Sequence, residues 1–318
     1  MNIKQALEYG IELLKENNVD EPILKTRILL SNILEQSKEY LIVYNNEEIS
    51  QEAENKFYNY LNRLAKNEPI QYITNKQEFM GLEFYVDENV LIPQPDTEIL
   101  VEETIKICKN FNIEKANENN VGVDAHIDPL DNIKILDLCT GSGAIGISIA
   151  RNIKNYEIIL SDISGEALEI ATRNSKTLVG ETIGRPQNNE KEYKRCEIKI
   201  IQSDLFENIN DKFDIIVSNP PYIKTEVIKT LDKEVQKEPI LALDGGEDGL
   251  DIYRRIIEQG YKYLNENGYL CLEIGYDQKE EVIELIGKTN KYTSIYSKKD
   301  LAGNDRIVIC KNCQKSIE

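Results

Sequence analysis

Four consecutive residues, Asn219-Pro220-Pro221-Tyr222, follow the apolar run FDIIVS and have the chemistry to hold a planar amino group. Two prolines cannot continue a central strand, so the backbone must turn and is held rigid at this point. The side-chain carbonyl of Asn219 and the main-chain carbonyl of Pro220 can then face a cleft as two fixed acceptors for an NH2 group. The flat ring of Tyr222 can stack on an amide or a base. We therefore expect these residues to bind the substrate, with Asn219, Pro220 and Tyr222 in catalytic roles.

A glycine-rich turn, Cys139-Thr140-Gly141-Ser142-Gly143, lies between the apolar run IKILDL and the apolar segment IGISIA. Glycine allows a tight turn and lets a ligand approach the backbone closely. We expect these five residues to bind a nucleotide-like cofactor. The motif alone would serve a dinucleotide-dependent dehydrogenase equally well.

Acidic residues follow the next two strand-like runs. Asp162 ends EIILSD, about 20 residues beyond the glycines, where a carboxylate can accept both hydroxyls of a ribose. Capping of the following helix is the alternative role for Asp162. Asp204 could accept a hydrogen bond from an exocyclic amine, with Leu205 or Phe206 against the base, although a simple turn aspartate fits as well. Ligands of open parallel sheets bind beyond the carboxyl ends of the strands, so we expect Asp162, Asp204, Leu205 and Asn219 to share one cofactor cleft.

The elements that must position these residues alternate between strands and helices. The predicted strands are IKILDL (133–138), EIILSD (157–162), EIKIIQSD (197–204), FDIIVSN (213–219) and YLCLEIG (269–275). After them, YTSIYSKKD and DRIVICK predict an antiparallel pair. The alternation predicts an α/β fold with a mostly parallel, seven-stranded sheet and helices on both faces.

The first part of the chain has a different pattern. Apolar residues recur at helical spacing through residues 1–75, which predicts a small bundle of three or four helices. Asp20 followed by Pro22 predicts the N-cap and the first turn of one helix, and Ser50 predicts the N-cap of another.

A domain boundary follows this helical part. Residues 76–95 contain short strand-like runs and end in two prolines, so we predict a connector there, with the α/β domain occupying residues 96–318. Two polar, weakly periodic segments, 112–132 and 180–195, are predicted to be surface insertions.

Composition limits the classes of function. Among the 318 residues, Lys and Arg number 38 and Asp and Glu number 56, which gives a net charge of −18. Such acidity argues against a protein that holds nucleic acid mainly by neutralising phosphates. The six scattered cysteines favour reduced thiols in a cytoplasm, and we expect neither a signal peptide nor a membrane span. We expect no metal site, because the only histidine is His126 and the Cys310/Cys313 pair has no second pair near it.

The glycine-rich loop after the first strand and Asn-Pro-Pro-Tyr after the fourth resemble the S-adenosylmethionine-dependent amino methyltransferases. Along nearly its whole length the chain is similar to one family of them, the release factor glutamine N5-methyltransferases (PrmC/HemK). Further stretches that carry this resemblance are EPIQYI (68–73), EF-x-G (78–81), LIPQPDTE (91–98), SDLF, EP-x-x-AL-x-GG-x-DGL (238–250), EIG-x-x-Q (273–278) and LAGNDRIVI. The chain departs from the family at Gln94, where arginine is usual, and at Cys139, where glycine is common.

The resemblance implies a Rossmann-like class I methyltransferase domain with S-adenosyl-L-methionine as its cofactor. It also implies the substrate, which would be the glutamine of the Gly-Gly-Gln motif in class I peptide chain release factors, held by the helical domain of residues 1–75. One alternative is an N6-adenine or guanine methyltransferase acting on DNA or RNA, against which the charge of −18 counts. The other alternative is a non-catalytic adaptor, against which the intact glycine loop, Asp162 and Asn219 count.

Overall fold

The computed structural model describes residues 1–118, 132–180 and 196–313. The chain forms two compact units, each assembled from separate stretches of sequence. The first unit comprises Met1–Lys76, Val86–Glu88 and Leu231–Glu238, and the second comprises Gln77–Tyr85, Asn89–Thr230 and Pro239–Glu318.

Five helices make up residues 1–76, all of which the structure describes. They are α1 (Ile3–Glu16), α2 (Pro22–Leu34), α3 (Lys38–Val43), α4 (Gln51–Leu64) and α5 (Ile70–Thr74). Their apolar faces form one core in which Leu14, Leu30 and Phe57 are fully buried. The sequence predicted only three or four helices, because α3 and α5 are too short to show a helical period.

The helix starts of this unit test two predicted caps. Ser50 caps α4 as predicted, since its hydroxyl oxygen accepts the N–H of Ala53 at 3.1 Å. The prediction for Asp20 was wrong: the N-cap of α2 is Glu21, which has a left-handed backbone (φ 51°) and makes no capping hydrogen bond with its side chain. Pro22 occupies the first helical position, and this places the cap on the residue directly before it.

The second unit begins with an antiparallel hairpin of β1 (Gln77–Phe79) and β2 (Leu82–Phe84). A 3-10 turn at Pro95–Thr97 leads into α6 (Glu98–Glu118), and another 3-10 turn spans Ile228–Thr230. The remaining elements of this unit, in chain order, are β3 (Ile133–Leu138), α7 (Ala144–Asn152), β4 (Tyr156–Asp162), α8 (Gly165–Leu178), β5 (Cys196–Gln202), β6 (Phe213–Ser218), α9 (Ile240–Leu243), α10 (Asp251–Tyr263), β7 (Leu264–Glu273), α11 (Lys279–Thr289), β8 (Tyr292–Lys299) and β9 (Asp305–Asn312).

Seven strands form one sheet in the order β5-β4-β3-β6-β7-β9-β8. The strands from β5 to β7 pair in parallel, and β9 is antiparallel to both β7 and β8. This confirms the predicted α/β fold, with its mostly parallel sheet and its antiparallel C-terminal pair. The strand order reverses at β3, which lies between β4 and β6. Reversal leaves a crevice beyond the carboxyl ends of these strands, where ligands of such sheets bind.

Each face of the sheet carries its own apolar core. Along β3, Ile133 and Ile135 belong to the core that includes α6 and α7, whereas Leu136 and Leu138 belong to the core that includes α10 and α11. Successive side chains of a strand point to opposite faces, so a strand buried on both faces reads as a continuous apolar run. This explains why IKILDL carries apolar residues on both faces, with only Lys134 and Asp137 as polar residues and no strict alternation.

The predicted insertions fall largely outside the described residues. Helix α6 runs through the start of the segment 112–132, whereas residues 119–131 and 181–195 are not described. No helix in the described parts of the chain is long and apolar enough to cross a lipid bilayer.

Candidate active site

A cavity of about 210 Å³ opens in the second unit at the carboxyl ends of β3, β4, β5 and β6. These four strands are neighbours in the sheet, so the residues that follow them meet at one edge. Seven of the residues predicted to form the site line this cavity: Cys139, Gly141, Asp162, Asp204, Leu205, Asn219 and Pro221. The fold therefore brings the glycine-rich loop, both acids and Asn219 together.

Five predicted residues do not line the cavity: Thr140, Ser142, Gly143, Pro220 and Tyr222. Two of them hold the glycine-rich loop in place. The Thr140 hydroxyl donates to Asp137 Oδ2 at 2.6 Å, and the Ser142 carbonyl accepts from Asn174 Nδ2 at 2.9 Å. Asn174 is buried on α8 and also exchanges two hydrogen bonds with the backbone of Tyr85, at 2.8 and 3.0 Å. Asn174 thus fastens the loop to the segment after β2.

Asp162 connects the glycine-rich loop to the end of β4. Its Oδ2 accepts the N–H of Gly141 at 2.9 Å, and its Oδ1 accepts the N–H of Ser164 at 3.0 Å. Burial raises the pKa of the Asp162 carboxyl group, and these backbone hydrogen bonds act in the opposite direction. Ser164 caps α8, because its hydroxyl oxygen accepts the N–H of Ala167 at 3.1 Å. Each carboxylate oxygen can accept a further hydrogen, as two ribose hydroxyls would require.

Two non-glycine residues of the cavity wall have left-handed backbones, Cys139 (φ 57°) and Leu205 (φ 50°). This conformation costs an L-residue about 1–2 kcal/mol. Backbone strain of this kind concentrates at ligand sites, where the surrounding structure holds it in place. Burial raises the pKa of the Cys139 thiol, so this cysteine stays protonated near neutral pH and is unsuited to act as a nucleophile.

The buried carboxyl group of Asp137 supports the glycine-rich loop through hydrogen bonds. Asp137 Oδ2 accepts from the Thr140 hydroxyl and, at 2.9 Å, from the N–H of Gly146 at the start of α7. Its other carboxylate oxygen is buried and has no hydrogen-bond partner among the described residues. Burial raises the pKa of Asp137 to about 7. The loop therefore rests on a carboxyl group that can hold a proton near neutral pH.

Asp204 has a partner that sequence reasoning missed. Arg255, on α10, also lines the cavity, and its Nη2 lies 2.8 Å from Asp204 Oδ1. The hydrogen bond to Asp204 raises the pKa of Arg255. No sequence motif marks this arginine, because its role depends on how α10 packs beside the end of β5.

Asn219 and Tyr222 both point toward buried polar groups. Asn219 Nδ2 donates to Thr97 Oγ1 at 3.3 Å. The Tyr222 hydroxyl donates to Glu273 Oε1 at 3.5 Å, and the Tyr222 ring packs against the core that includes α10 and α11. Sequence reasoning assigned no site role to Thr97 or Glu273, although they lie within the stretches LIPQPDTE and EIG-x-x-Q.

The backbone of Tyr222 is enclosed by residues from two other family-like stretches. Gln278 Nε2 donates to the Tyr222 carbonyl at 3.0 Å. A Cβ atom on Gly249 (φ 78°) would lie 2.5 Å from that carbonyl oxygen, and one on Gly245 would lie 2.7 Å from the Tyr222 Cα. Only glycine permits such close approach. The Asn-Pro-Pro-Tyr turn is therefore held both by the Gln278 side chain and by close backbone packing of Gly245 and Gly249.

Among the described residues, no group of three or more histidine, cysteine or acidic side chains could hold a metal ion. His126 lies outside the described residues. Cys310 is buried within β9, whereas Cys313 is exposed just beyond it.

Family models match both parts of the chain. Residues 5–74 match the PrmC N-terminal domain, and residues 120–247 match the methyltransferase small domain. The hMettl16 catalytic domain, solved in complex with MAT2A 3′UTR hairpin 6, shares the fold with a TM-score of 0.51 and 14% identity, over 80% of this chain and 83% of that one. The family model of residues 120–247 thus identifies a methyltransferase domain in the second unit.

Relatives along the full length identify the family. The release factor glutamine methyltransferase of Clostridium acetobutylicum is 39% identical over 313 residues, which cover 97% of this chain and 98% of that protein. The protein of the same name from Clostridium botulinum is 36% identical over 312 residues, with 97% and 98% covered. The chain belongs to the release factor glutamine methyltransferase family.

Proposed function

We propose that this protein transfers the methyl group of S-adenosyl-L-methionine to the side-chain amide nitrogen (N5) of the glutamine in the Gly-Gly-Gln motif of class I peptide chain release factors. The observation that carries the proposal is similarity over nearly the whole chain to proteins named release factor glutamine methyltransferase. Asn219 and Asp162 line the same cavity, and this supports the proposal because the amide and the methyl donor must meet. Neither nucleic-acid methylation nor a non-catalytic adaptor role is favoured by these relatives.

The cavity offers groups that suit the proposed cofactor. Asp162 presents two carboxylate oxygens for ribose hydroxyls, and apolar side chains of Leu205, Leu241 and Ile252 line the same space for a flat base. Asp204 Oδ1 is paired with Arg255, and because a carboxylate can accept several hydrogen bonds, Asp204 could also accept from an exocyclic amine. When bound, S-adenosyl-L-methionine supplies a methyl group attached to a positively charged sulfur.

The residues of the Asn-Pro-Pro-Tyr turn would act on the other reactant, a glutamine amide. An amide nitrogen is a poor nucleophile because its lone pair is delocalised into the carbonyl. Asn219 Oδ1 and the Pro220 carbonyl would accept both amide hydrogens, fix the nitrogen in place and stabilise the positive charge that develops on it. No residue needs to remove a proton beforehand, because the nitrogen becomes acidic as the new bond forms. The Tyr222 hydroxyl is directed to Glu273, so the ring would form the wall beside the amide.

We also propose that the helical residues 1–75 contact the release factor. Ile42 and Val43, at the end of α3, are 59% and 70% exposed and adjoin Tyr44, which is 47% exposed. Exposed apolar side chains of this kind could pack against an apolar surface of the release factor. Replacing Val43 by Ser should raise KM for the release factor and leave cofactor affinity unchanged. An unchanged KM would show that the release factor binds elsewhere.

The decisive experiment uses purified protein, labelled S-adenosyl-L-methionine and a class I release factor. We expect mass spectrometry to find one added methyl group on the Gly-Gly-Gln glutamine, and none on a release factor whose glutamine is replaced by alanine. Asn219→Ala should bind cofactor and release factor normally but transfer methyl at least a hundredfold more slowly, because removal of one preorganised partner usually costs about 10²–10³ in rate. Asn219→Asp keeps an acceptor oxygen and should retain more activity than Asn219→Ala. Methylation of DNA or RNA, with none of the release factor, would refute the proposal.

A further inference from the structure

A chain of polar side chains runs from Asn219 into the interior of the second unit. Asn219 Nδ2 donates to the hydroxyl oxygen of Thr97, which is only 4% exposed and ends the 3-10 turn before α6. Glu273, at the end of β7, lies near enough to the Thr97 hydroxyl for that hydroxyl to lower the pKa of its carboxyl group. The same carboxyl group accepts from the Tyr222 hydroxyl. Two residues of the Asn-Pro-Pro-Tyr turn thus converge on one buried acid.

The chemistry of these groups decides which of them donates and which accepts in each hydrogen bond. A side-chain amide has a donor end and an acceptor end of nearly the same shape, so packing alone does not decide which end faces the cavity. In its ionised form the carboxyl group of Glu273 only accepts hydrogen bonds, so it would take the hydrogen of the Thr97 hydroxyl and leave that oxygen as an acceptor. The Thr97 oxygen can then be satisfied by the NH2 end of Asn219, and the carbonyl end is left for the cavity.

We propose that Thr97 and Glu273 are positioning residues that hold the Asn219 side chain with its carbonyl toward the substrate amide. This inference rests on the proposed role of Asn219 as an acceptor for the glutamine NH2. The reversed orientation would set one NH2 group against another and would repel the substrate.

The burial of Glu273 favours this role over simple filling of space. Glu273 is only 2% exposed, and its Oε2 is buried with no hydrogen-bond partner among the described residues. Burial raises the pKa of Glu273 to about 7, and the nearby Arg306 acts to lower it. Burying a carboxyl group is costly, and an apolar side chain would fill the same volume without that cost. Arg306 itself pairs with Asp96 and Asp300, each at 3.1 Å.

The test replaces the hydroxyl of Thr97 and keeps its shape. Thr97→Val should slow single-turnover methyl transfer to the release factor about tenfold, the range expected when one hydrogen bond is lost, with cofactor affinity unchanged. Thr97→Ser keeps the hydroxyl and should recover most of the rate. Thr104→Val is the matched control, because Thr104 is equally buried but its hydroxyl donates to Leu100 O within α6. Its rate should equal that of the wild type.

A double-mutant cycle separates positioning from a general structural effect. If Thr97 acts through Asn219, Thr97→Val should cost nothing further in the Asn219→Ala background. The inference is wrong if Thr97→Val has the wild-type rate, or if it slows the reaction equally in both backgrounds. Glu273→Gln is the second variant, since its amide could donate to the Thr97 oxygen and so reverse donors and acceptors along the series. We expect it to slow transfer at least as much as Thr97→Val.

A spectroscopic readout tests the orientation independently of the substrate. In the wild type, the side-chain NH2 of Asn219, assigned by its loss in Asn219→Ala, should show an NMR shift typical of a hydrogen-bonded amide. Thr97→Val should move that signal and Thr104→Val should not. An unmoved signal would overturn the inference even if methyl transfer is confirmed. A wild type that does not methylate release factors would instead refute the proposed function, and the NMR result would still decide the orientation.

Discussion

Replacement of Asp162 by Ala gives the sharpest test of the proposed cofactor site. The carboxylate would lose its charge-assisted hydrogen bonds to the ribose, which are worth about 1.5–3 kcal/mol. That loss corresponds to a cofactor dissociation constant about 10- to 150-fold higher. The variant also loses the acceptors for the Gly141 and Ser164 N–H groups, so its free energy of unfolding should fall by about 1 kcal/mol for each.

Asp162→Asn should rescue little of this affinity. Both carboxylate oxygens face backbone N–H donors, so the NH2 of an asparagine would meet a donor at one of the two positions. The variant can keep only one of the two loop hydrogen bonds, and it has no charge. We therefore expect its cofactor affinity to be close to that of Asp162→Ala.

The matched control is Asp214→Ala in β6. Asp214 is also a buried acid with a hydrogen bond on each oxygen, from the Lys134 N–H at 2.9 Å and from Asn265 Nδ2 at 3.0 Å, but it does not line the cavity. Its loss should lower stability without changing the cofactor affinity measured by calorimetry. Equal weakening by both variants would show that the effect of Asp162 is structural. Unchanged affinity in a folded Asp162→Ala protein would remove Asp162 from the site.

Three further outcomes follow from the geometry. Gly249→Ala would place a Cβ 2.5 Å from the Tyr222 carbonyl oxygen, so it should lower the free energy of unfolding by about 1–3 kcal/mol in urea titrations. Gly287→Ala on α11 has open space around the new Cβ and should instead raise the free energy of unfolding by up to about 1 kcal/mol. The pKa of Asp137 is raised to about 7, so between about pH 4 and 7 the folded state holds a proton that the unfolded state has lost. The free energy of unfolding of the wild type, relative to that of Asp137→Asn, should therefore fall as pH rises through that window. A difference that does not change with pH would contradict this. Ser50→Ala should lose about 1 kcal/mol of stability in thermal unfolding and leave cofactor affinity intact, because Ser50 caps a helix of the first unit.

Strand-end residues were the predictable part of the site. Asp162 and Asn219 each follow an apolar run directly, and the carboxyl ends of parallel strands meet at one edge of the sheet. Their presence at one cavity therefore follows from the alternation of strands and helices alone. The sheet itself could be predicted for the same reason.

Contacts between distant stretches could not be predicted in this way. Thr97 and Asn219 are 122 positions apart, and Tyr222 and Glu273 are 51 apart. A periodic pattern shows which face of an element is buried but not which element packs beside it. The two prolines were enough to predict that the Asn-Pro-Pro-Tyr turn is rigid. The direction of the Tyr222 hydroxyl could not be predicted, because it depends on Glu273 in another strand. Arg255 was missed for the same reason.

The helical bundle of residues 1–76 cannot be exchanged by itself, because its compact unit also includes later stretches of the sequence. Lys25 of α2, with a side chain only 10% exposed, is paired with Glu234, which belongs to the same unit but comes from the stretch 231–238, more than 200 positions later. A protein cut after Lys76 would lose this ion pair together with the stretch 231–238, which is part of the same compact unit. A chimera that exchanges bundles between relatives must therefore carry both stretches of the gene.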